Sequence, residues 1–238
     1  KNARFVQIST VSVAGIRVEN MADDVYLHEN ELYIGQDYIS NKYVESKFLA
    51  ERAVFESAIN DNADVKIMRV GNLMARTYDG KFQINYETNA FMNALKSFVT
   101  LGKISKSMAQ DKMEFSPIDL TAKSLVTPKD NIVFHPATHQ RVSYEELIDV
   151  FNELGLNMEI VDDEIFDKSL NEILKDESKQ KGMFGLTTIL NDEDVYLPAD
   201  TEYTLKVLSE LGFEWPKTNK KYLSMFIKNL INLKFFKI

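Results

Sequence analysis

Arg4-Phe5-Val6-Gln7-Ile8-Ser9-Thr10 is a short β-rich run whose last two residues carry hydroxyls. Its apolar character suits a buried parallel strand. A polar, acidic loop follows from Glu19 to Gln36. Ser40 is the predicted N-cap of a helix through about Asn60, with apolar positions at Val44, Phe48, Leu49, Ala53 and Phe55. Asp64-Val65-Lys66-Ile67-Met68-Arg69-Val70 reads as the next strand, ended by Gly71-Asn72. Strand, helix and strand in this order predict an α/β parallel sheet.

Further along, residues 86–101 read as a helix with Phe91, Met92, Leu95 and Phe98 on a core-facing stripe. Phe115-Ser116-Pro117-Ile118-Asp119 begins another helix, and Asn131-Ile132-Val133-Phe134-His135-Pro136 is a third buried strand. Amphipathic helices are predicted near 143–154, 163–175, 199–211 and 219–233, the last docking the Lys- and Phe-rich tail. The polar stretch 175–195 is the expected flexible loop. The sheet therefore carries a mainly helical C-terminal addition. The predicted division is 1–85 for the sheet domain and 86–238 for the helical subdomain, with 113–137 returning to the sheet.

Composition sets mild bounds. The 238 residues are 45% hydrophobic and 27% charged, as in soluble globular proteins. A net charge of −8 argues against a nucleic-acid partner, which calls for a basic patch. No cysteine is present, so there is neither a disulfide nor a thiolate metal site, and a reducing cytoplasm is the simplest setting. His28, His135 and His139 are badly spaced for a metal, and His135 is expected to end a strand. No apolar run long enough to span a membrane occurs. The first residues, Lys1-Asn2-Ala3, lack an initiator Met and read as part of something longer.

The chemistry is carried by Asn41-Lys42-Tyr43-Val44-Glu45-Ser46-Lys47-Phe48-Leu49-Ala50-Glu51. Tyr43 and Lys47, four apart on a helix, share a face. An ammonium one turn from a phenol favours phenolate, which makes a proton donor usable at neutral pH. With 10 tyrosines, roughly one Tyr-x-x-x-Lys arises by chance, and Tyr38 with Lys42 is a second. Helix phase separates the two: Tyr38 precedes the helix start, whereas Tyr43 and Lys47 lie inside it. The helix also follows a strand whose Ser9 and Thr10 emerge at the carboxyl end of the sheet, where open α/β sheets bind ligands. A hydroxyl there can bond the carbonyl oxygen that Tyr43 protonates. Thr10 is the preferred member, with Ser9 and Ser12 as alternatives.

Ile8-Ser9-Thr10-Val11-Ser12-Val13, Tyr43-x-x-Ser46-Lys47-x-x-Ala50-Glu51 and Arg69-Val70-Gly71-Asn72-Leu73 together resemble the extended short-chain dehydrogenase/reductases. More narrowly they resemble the terminal thioester reductase domains of nonribosomal peptide synthetases and carboxylic acid reductases. Phe115-Ser116-Pro117-Ile118-Asp119 matches a further element of that family, and the similarity spans about residues 4 to 150. The resemblance implies a Rossmann-like sheet. It assigns Thr10, Tyr43 and Lys47 as the catalytic triad: Thr10 orients the carbonyl, Tyr43 is the general acid, and Lys47 tunes Tyr43 and bonds the nicotinamide ribose. Ile8, Val70, Gly71, Asn72 and Leu73 would join Tyr43 and Lys47 around NADPH, and Ser12 and Asn72 would face the substrate. The implied reaction is reduction of a peptidyl or aminoacyl thioester, held on the phosphopantetheine of an upstream peptidyl carrier domain, to an aldehyde and in some members an alcohol. No metal, nucleic acid or membrane is implied, and the domain is expected to be monomeric.

One departure stands out: none of the 9 glycines forms the family's Gly-x-x-Gly-x-x-Gly fingerprint. The first strand here corresponds to the fifth of the family's sheet. The chain therefore reads as the C-terminal part of the nucleotide-binding domain, inactive without an upstream half and open along one apolar edge. Two other readings stay open at this level. One is a free-standing extended reductase such as a nucleotide-sugar epimerase or dehydratase. The other is a non-catalytic remnant that has lost its cofactor.

Overall fold

The computed structural model describes residues 3–126, 132–190 and 194–236. It divides into two compact units. The first comprises Lys1–Leu73, Glu114–His139 and Asp194–Pro216; the second comprises Met74–Met113, Gln140–Glu193 and Lys217–Ile238. Against the expected 1–85, the first unit leaves the chain at Leu73, and it takes back Asp194–Pro216 as well as the segment after Glu114.

The first unit is built on a parallel sheet. Strand β1 is Phe5–Thr10, β2 is Val65–Val70 and β3 is Val133–Phe134, in the order β1-β2-β3. The register pairs Phe5 with Val65 through Thr10 with Val70, and Ile67 with Val133. Helix α1, Lys42–Asn60, returns between β1 and β2, as a parallel pair requires. β2 is the buried centre, whereas β1 departs from the expected buried strand. Phe5, Val6 and Ile8 are 54%, 41% and 42% exposed, because β1 is an edge with one neighbour among the described residues. The third strand is two residues long, and Asn131 lies outside the described residues. Val13, Ala14, Leu27 and Leu197 form one apolar cluster of this unit, and Leu208, Phe213 and Trp215 another.

The cap of α1 corrects a second expectation. Asn41, not Ser40, is the N-cap; its side chain accepts from the amides of Tyr43 at 3.0 Å and Val44 at 3.3 Å. The Ser40 hydroxyl instead donates to Asp37, and this bond leads the amides of Ile39 and Ser40 in holding that carboxyl below its ordinary range.

The second unit is mainly helical. Helix Ala90–Leu101 buries Met92, Leu95 and Phe98, a core role for that stripe. It packs on Phe184–Leu190 so closely that a β-carbon on Gly185 would sit 2.2 Å from the Asn93 carbonyl carbon. The stretch 175–195, expected as a flexible loop, is largely helical as far as Leu190: Glu177–Gln180 and Phe184–Leu190 are helices, and Met183 and Leu186 are wholly buried, while 191–193 lie outside the described residues. Apolar side chains scattered among lysines there hide a packed face. Helices Tyr144–Glu153 and Lys220–Asn232 stand near their predicted positions, and Phe226, Ile227, Leu230, Phe235 and Phe236 are buried. Among the described residues, no helix is long and apolar enough to cross a membrane.

Candidate active site

The carboxyl edge of the sheet brings the expected residues to one end of the first unit. β1 ends at Thr10, which is 8% exposed and begins a 3-10 turn over Val11–Ala14. Its Oγ1 accepts from the Ser12 amide at 3.1 Å and donates to Ser12 Oγ at 3.1 Å, so the two hydroxyls form one unit. Ser9, on the opposite face of the strand, is buried with its hydroxyl unpartnered. α1 packs on β1 and on this turn.

Asn41 starts α1 so that Tyr43 falls in its first turn and Lys47 one turn on. The Lys47 ammonium lies 5.9 Å from the centroid of the Tyr43 ring, at the outer limit of a cation–π contact. Tyr43 is 55% exposed, and neither its hydroxyl nor the Lys47 ammonium has a hydrogen bond or ion pair among the described residues. The helix N-terminus and Lys47 both place positive potential here, suited to an oxygen that gathers negative charge. No hydrogen bond joins Tyr43 to Thr10 directly. The rival pair separates as expected: Tyr38 lies before the helix and stacks on Phe48 at 3.8 Å, while Lys42 pairs with Glu45.

Across the ladder, Thr10 stands beside Val70, so Gly71 and Asn72 leave β2 next to the Thr10 turn. Gly71 is obligatory for a packing reason. A β-carbon there would lie 1.9 Å from the Glu114 carboxylate, which is buried and accepts from the Ser116 hydroxyl. The Asn72 carbonyl accepts from the Ser116 amide at 3.0 Å, tying the Phe115–Asp119 element to the end of β2. Leu73 is half-buried, and Ile8 lies on the open strand.

A buried ionic hub, whose pairing no spacing on one element predicts, ties α1 to β2. Glu51 and Arg69 are both wholly buried. Arg69 Nε approaches the two Glu51 oxygens at 3.2 and 3.0 Å, and Nη2 reaches Oε2 at 2.8 Å. The remaining donors go to the carbonyls of Glu31 at 2.7 Å and His28 at 3.4 Å, and to His135 Nε2 at 3.0 Å. Every face of the guanidinium is used, as a buried charge demands. Because arginine only donates, His135 Nε2 must accept, so Nδ1 carries the proton and donates to the Asp200 carbonyl. Burial first, and then the Arg69 charge, push the His135 pKa down to about 4. One cation thus fastens α1, β2, the loop at 28–31 and the segments at His135 and Asp200.

A parallel sheet that brings a hydroxyl, a phenol and an ammonium to its carboxyl edge defines the extended short-chain dehydrogenase/reductase class. Residues 1–125 match the model of the NAD-binding family described as male sterility protein, and the chain belongs to that family. It is similar to the thiolation-reductase di-domain of an archaeal non-ribosomal peptide synthetase, at 36% identity and a TM-score of 0.85 over 100% of this chain and 51% of that one. It is also similar to the reductase domain of the aureusimine biosynthetic cluster, at 30% identity and a TM-score of 0.77 over 98% of this chain and 61% of that one. The terminal R domain of the myxalamid pathway shares the fold at 19% identity and a TM-score of 0.77, over 98% of this chain and 59% of that one. The chain therefore spans about half to three fifths of the length of these relatives. No match is found among curated proteins. Among the described residues, no group of three or more acidic, histidine or cysteine side chains is arranged to hold a metal.

Proposed function

We propose that this chain supplies the catalytic edge of an NADPH-dependent thioester reductase that releases a carrier-bound peptidyl or aminoacyl chain as an aldehyde. The observation that carries this reading is the Tyr43–Lys47 pair, an exposed phenol and a half-buried ammonium, on the helix that packs against the turn holding the Thr10–Ser12 hydroxyls. The similarity to a thiolation-reductase di-domain at 36% identity and to a reductase domain at 30% favours the same chemistry.

The residues present fit the ribose and nicotinamide end of the cofactor. Lys47 offers an unpaired ammonium and Tyr43 an unpaired hydroxyl, while the space beside Gly71 is taken by the Glu114 carboxylate. None of the 9 glycines forms a glycine-rich phosphate loop, so the fit extends to the nicotinamide end and not to the pyrophosphate. The bound dinucleotide supplies the hydride.

Thr10 and Tyr43 hold the substrate carbonyl oxygen between two donors. Tyr43 gives its proton to that oxygen as negative charge builds, and the ammonium of Lys47 offsets the charge left on the phenol. Collapse of the resulting hemithioacetal frees the pantetheine thiol and the aldehyde. Asn72 and Ser12 line the approach. The acyl-bearing arm comes from a carrier domain of the same polypeptide.

Tyr43→Phe in the full polypeptide tests the assignment. Loss of the general acid should cost about 10²- to 10⁴-fold in turnover of an acyl-pantetheine thioester, with NADPH affinity by calorimetry nearly unchanged. Turnover close to wild type would sink the mechanism, and turnover of nucleotide sugars in place of thioesters would sink the substrate class.

A further inference from the structure

Within the first unit, well away from Tyr43, lies a cavity of about 550 Å³ lined by His28, Glu29, Phe55, Val133, Asp200 and Tyr203. Phe55 is twelve residues beyond Tyr43 on α1, about 18 Å along the helix, so this is not the reductase site. Phe55, Val133 and Tyr203 make its walls largely apolar. Glu29 is 7% exposed, and its Oε1 accepts from the Thr204 amide at 3.0 Å and the Thr204 hydroxyl at 2.7 Å. No donor of the described residues reaches its Oε2, and no lysine or arginine is among the lining residues.

A carboxylate taken out of water is costly unless a cation meets it. Here two neutral donors hold one oxygen, and the other has no hydrogen bond among the described residues. A second carboxylate, Asp200, sits at the rim with its Oδ2 2.9 Å from His28 Nδ1 and its Oδ1 accepting from the Glu202 amide. Burial acts against the Asp200 charge, but the Glu202 amide and the His28 ring outweigh it and keep the carboxyl below its ordinary range. Two carboxylates disfavour an anionic ligand, and a neutral one would bring Glu29 no counter-charge. Phe55 and Tyr203 offer aromatic surface to the apolar body of such a cation.

We propose that this cavity binds an organic cation, a primary ammonium on an apolar or aromatic stem, with Glu29 as its counter-charge. The Thr204 hydroxyl that fixes Glu29 also accepts from the His135 amide at 2.8 Å, so the site is anchored to the hub that ties α1 to β2.

Phenethylammonium chloride is the probe, with 2-phenylethanol as its neutral counterpart and phenylacetate as its anionic one, titrated calorimetrically into the full polypeptide. The ammonium should bind about tenfold or more tightly than the alcohol, and phenylacetate should not bind. Glu29→Gln keeps the acceptor for Thr204 and removes the charge; it should erase the preference for the ammonium. Tyr203→Ala should weaken both the ammonium and the alcohol while preserving their ratio. Equal binding of ammonium and alcohol to the wild type overturns the proposal, as does an unchanged preference in Glu29→Gln. Where Glu29→Gln does not fold, the wild-type preference and the Tyr203→Ala ratio decide it.

Discussion

Each of the two units has an interior of its own kind. Every buried charged side chain among the described residues, Glu29, Glu51, Lys66, Arg69 and Glu114, belongs to the first unit. The buried polar residues of the second unit are three serines, Ser97, Ser105 and Ser143; the rest of its interior is aliphatic and aromatic, with Phe98, Phe151 and Phe226 fully enclosed. An apolar core tolerates repacking as long as volume is kept. A buried ion pair tolerates almost nothing, because each partner is satisfied at one geometry only. The unit that carries Tyr43 and Lys47 is the one that uses the less forgiving device. That is the expected division where a helix must be held to a fraction of an ångström for chemistry while its neighbour supplies bulk and shape.

The comparison breaks most visibly at Arg69. Arg69→Met leaves the Glu51 carboxylate buried without a counter-charge, which should cost about 3–5 kcal/mol. Adding Glu51→Leu should recover most of that loss, since two apolar side chains can fill the space of a buried pair. Urea unfolding of the single and double variants measures both. In the full polypeptide the double variant should remain folded yet lose thioester turnover, because α1 no longer has its angular reference. A double variant with wild-type turnover would show that the hub stabilises without aiming.

The corresponding cut in the second unit is Phe226→Ala. Its ring is wholly buried and lies 6.0 Å from Phe82. Truncation should cost about 3–5 kcal/mol through lost burial and a residual cavity. Unlike the arginine variant, it offers no second substitution that restores balance. Hydrogen exchange should show the protection loss among amides of Lys220–Asn232 and Tyr144–Glu153 rather than in β2.

Acid separates the units more gently. His135 is neutral in the fold, its pKa depressed to about 4 from 6.5 by burial and by Arg69. Above pH 6.5 neither folded nor unfolded chain holds that proton, and this group contributes no pH dependence. Between about 6.5 and 4 the unfolded chain binds it and the folded chain does not, so stability falls as pH falls. The loss levels off below pH 4, after about 3 kcal/mol in all. His135→Gln should flatten that limb of the stability profile. An unaltered profile would mean the acid sensitivity belongs to other groups.

Much of this was legible in the residues, and the gaps have physical reasons. The strand–helix–strand order, the four late helices and the placement of Tyr43 with Lys47 inside one helix, Tyr38 before it, follow from periodicity and helix phase, which are local. The hub was not read, although one signal was present. Val44, Phe48 and Glu51 follow the i, i+4, i+7 spacing of a buried stripe, so a charged residue occupies a core phase. Glu51 pairs with Arg69 eighteen positions on, a contact that spacing on one element cannot reveal. The helical 175–190 segment escaped for the opposite reason. Its buried face rests on Met183, Gly185 and Leu186, and a glycine that admits another helix at backbone distance looks in sequence like a loop. Ser40 and its neighbour Asn41 are both good cap acceptors, and Asp37 captures the serine hydroxyl, which leaves Asn41 to cap the helix.

The smallest expected effect sharpens the comparison from the tolerant side. Leu230 is fully buried on Lys220–Asn232 in the second unit. Leu230→Met conserves volume and adds no polar atom, so denaturant unfolding should show a loss below about 1.5 kcal/mol. The matched change in the first unit is Glu51→Gln, equally conservative in shape. It keeps an acceptor for Arg69 but removes the counter-charge and presents two amide hydrogens to a guanidinium that only donates. Its cost should exceed that of Leu230→Met severalfold, with elevated hydrogen exchange along α1. Equal costs for the two substitutions would mean the hub is as adaptable as an apolar core, and the placement of Tyr43 would then need a different anchor.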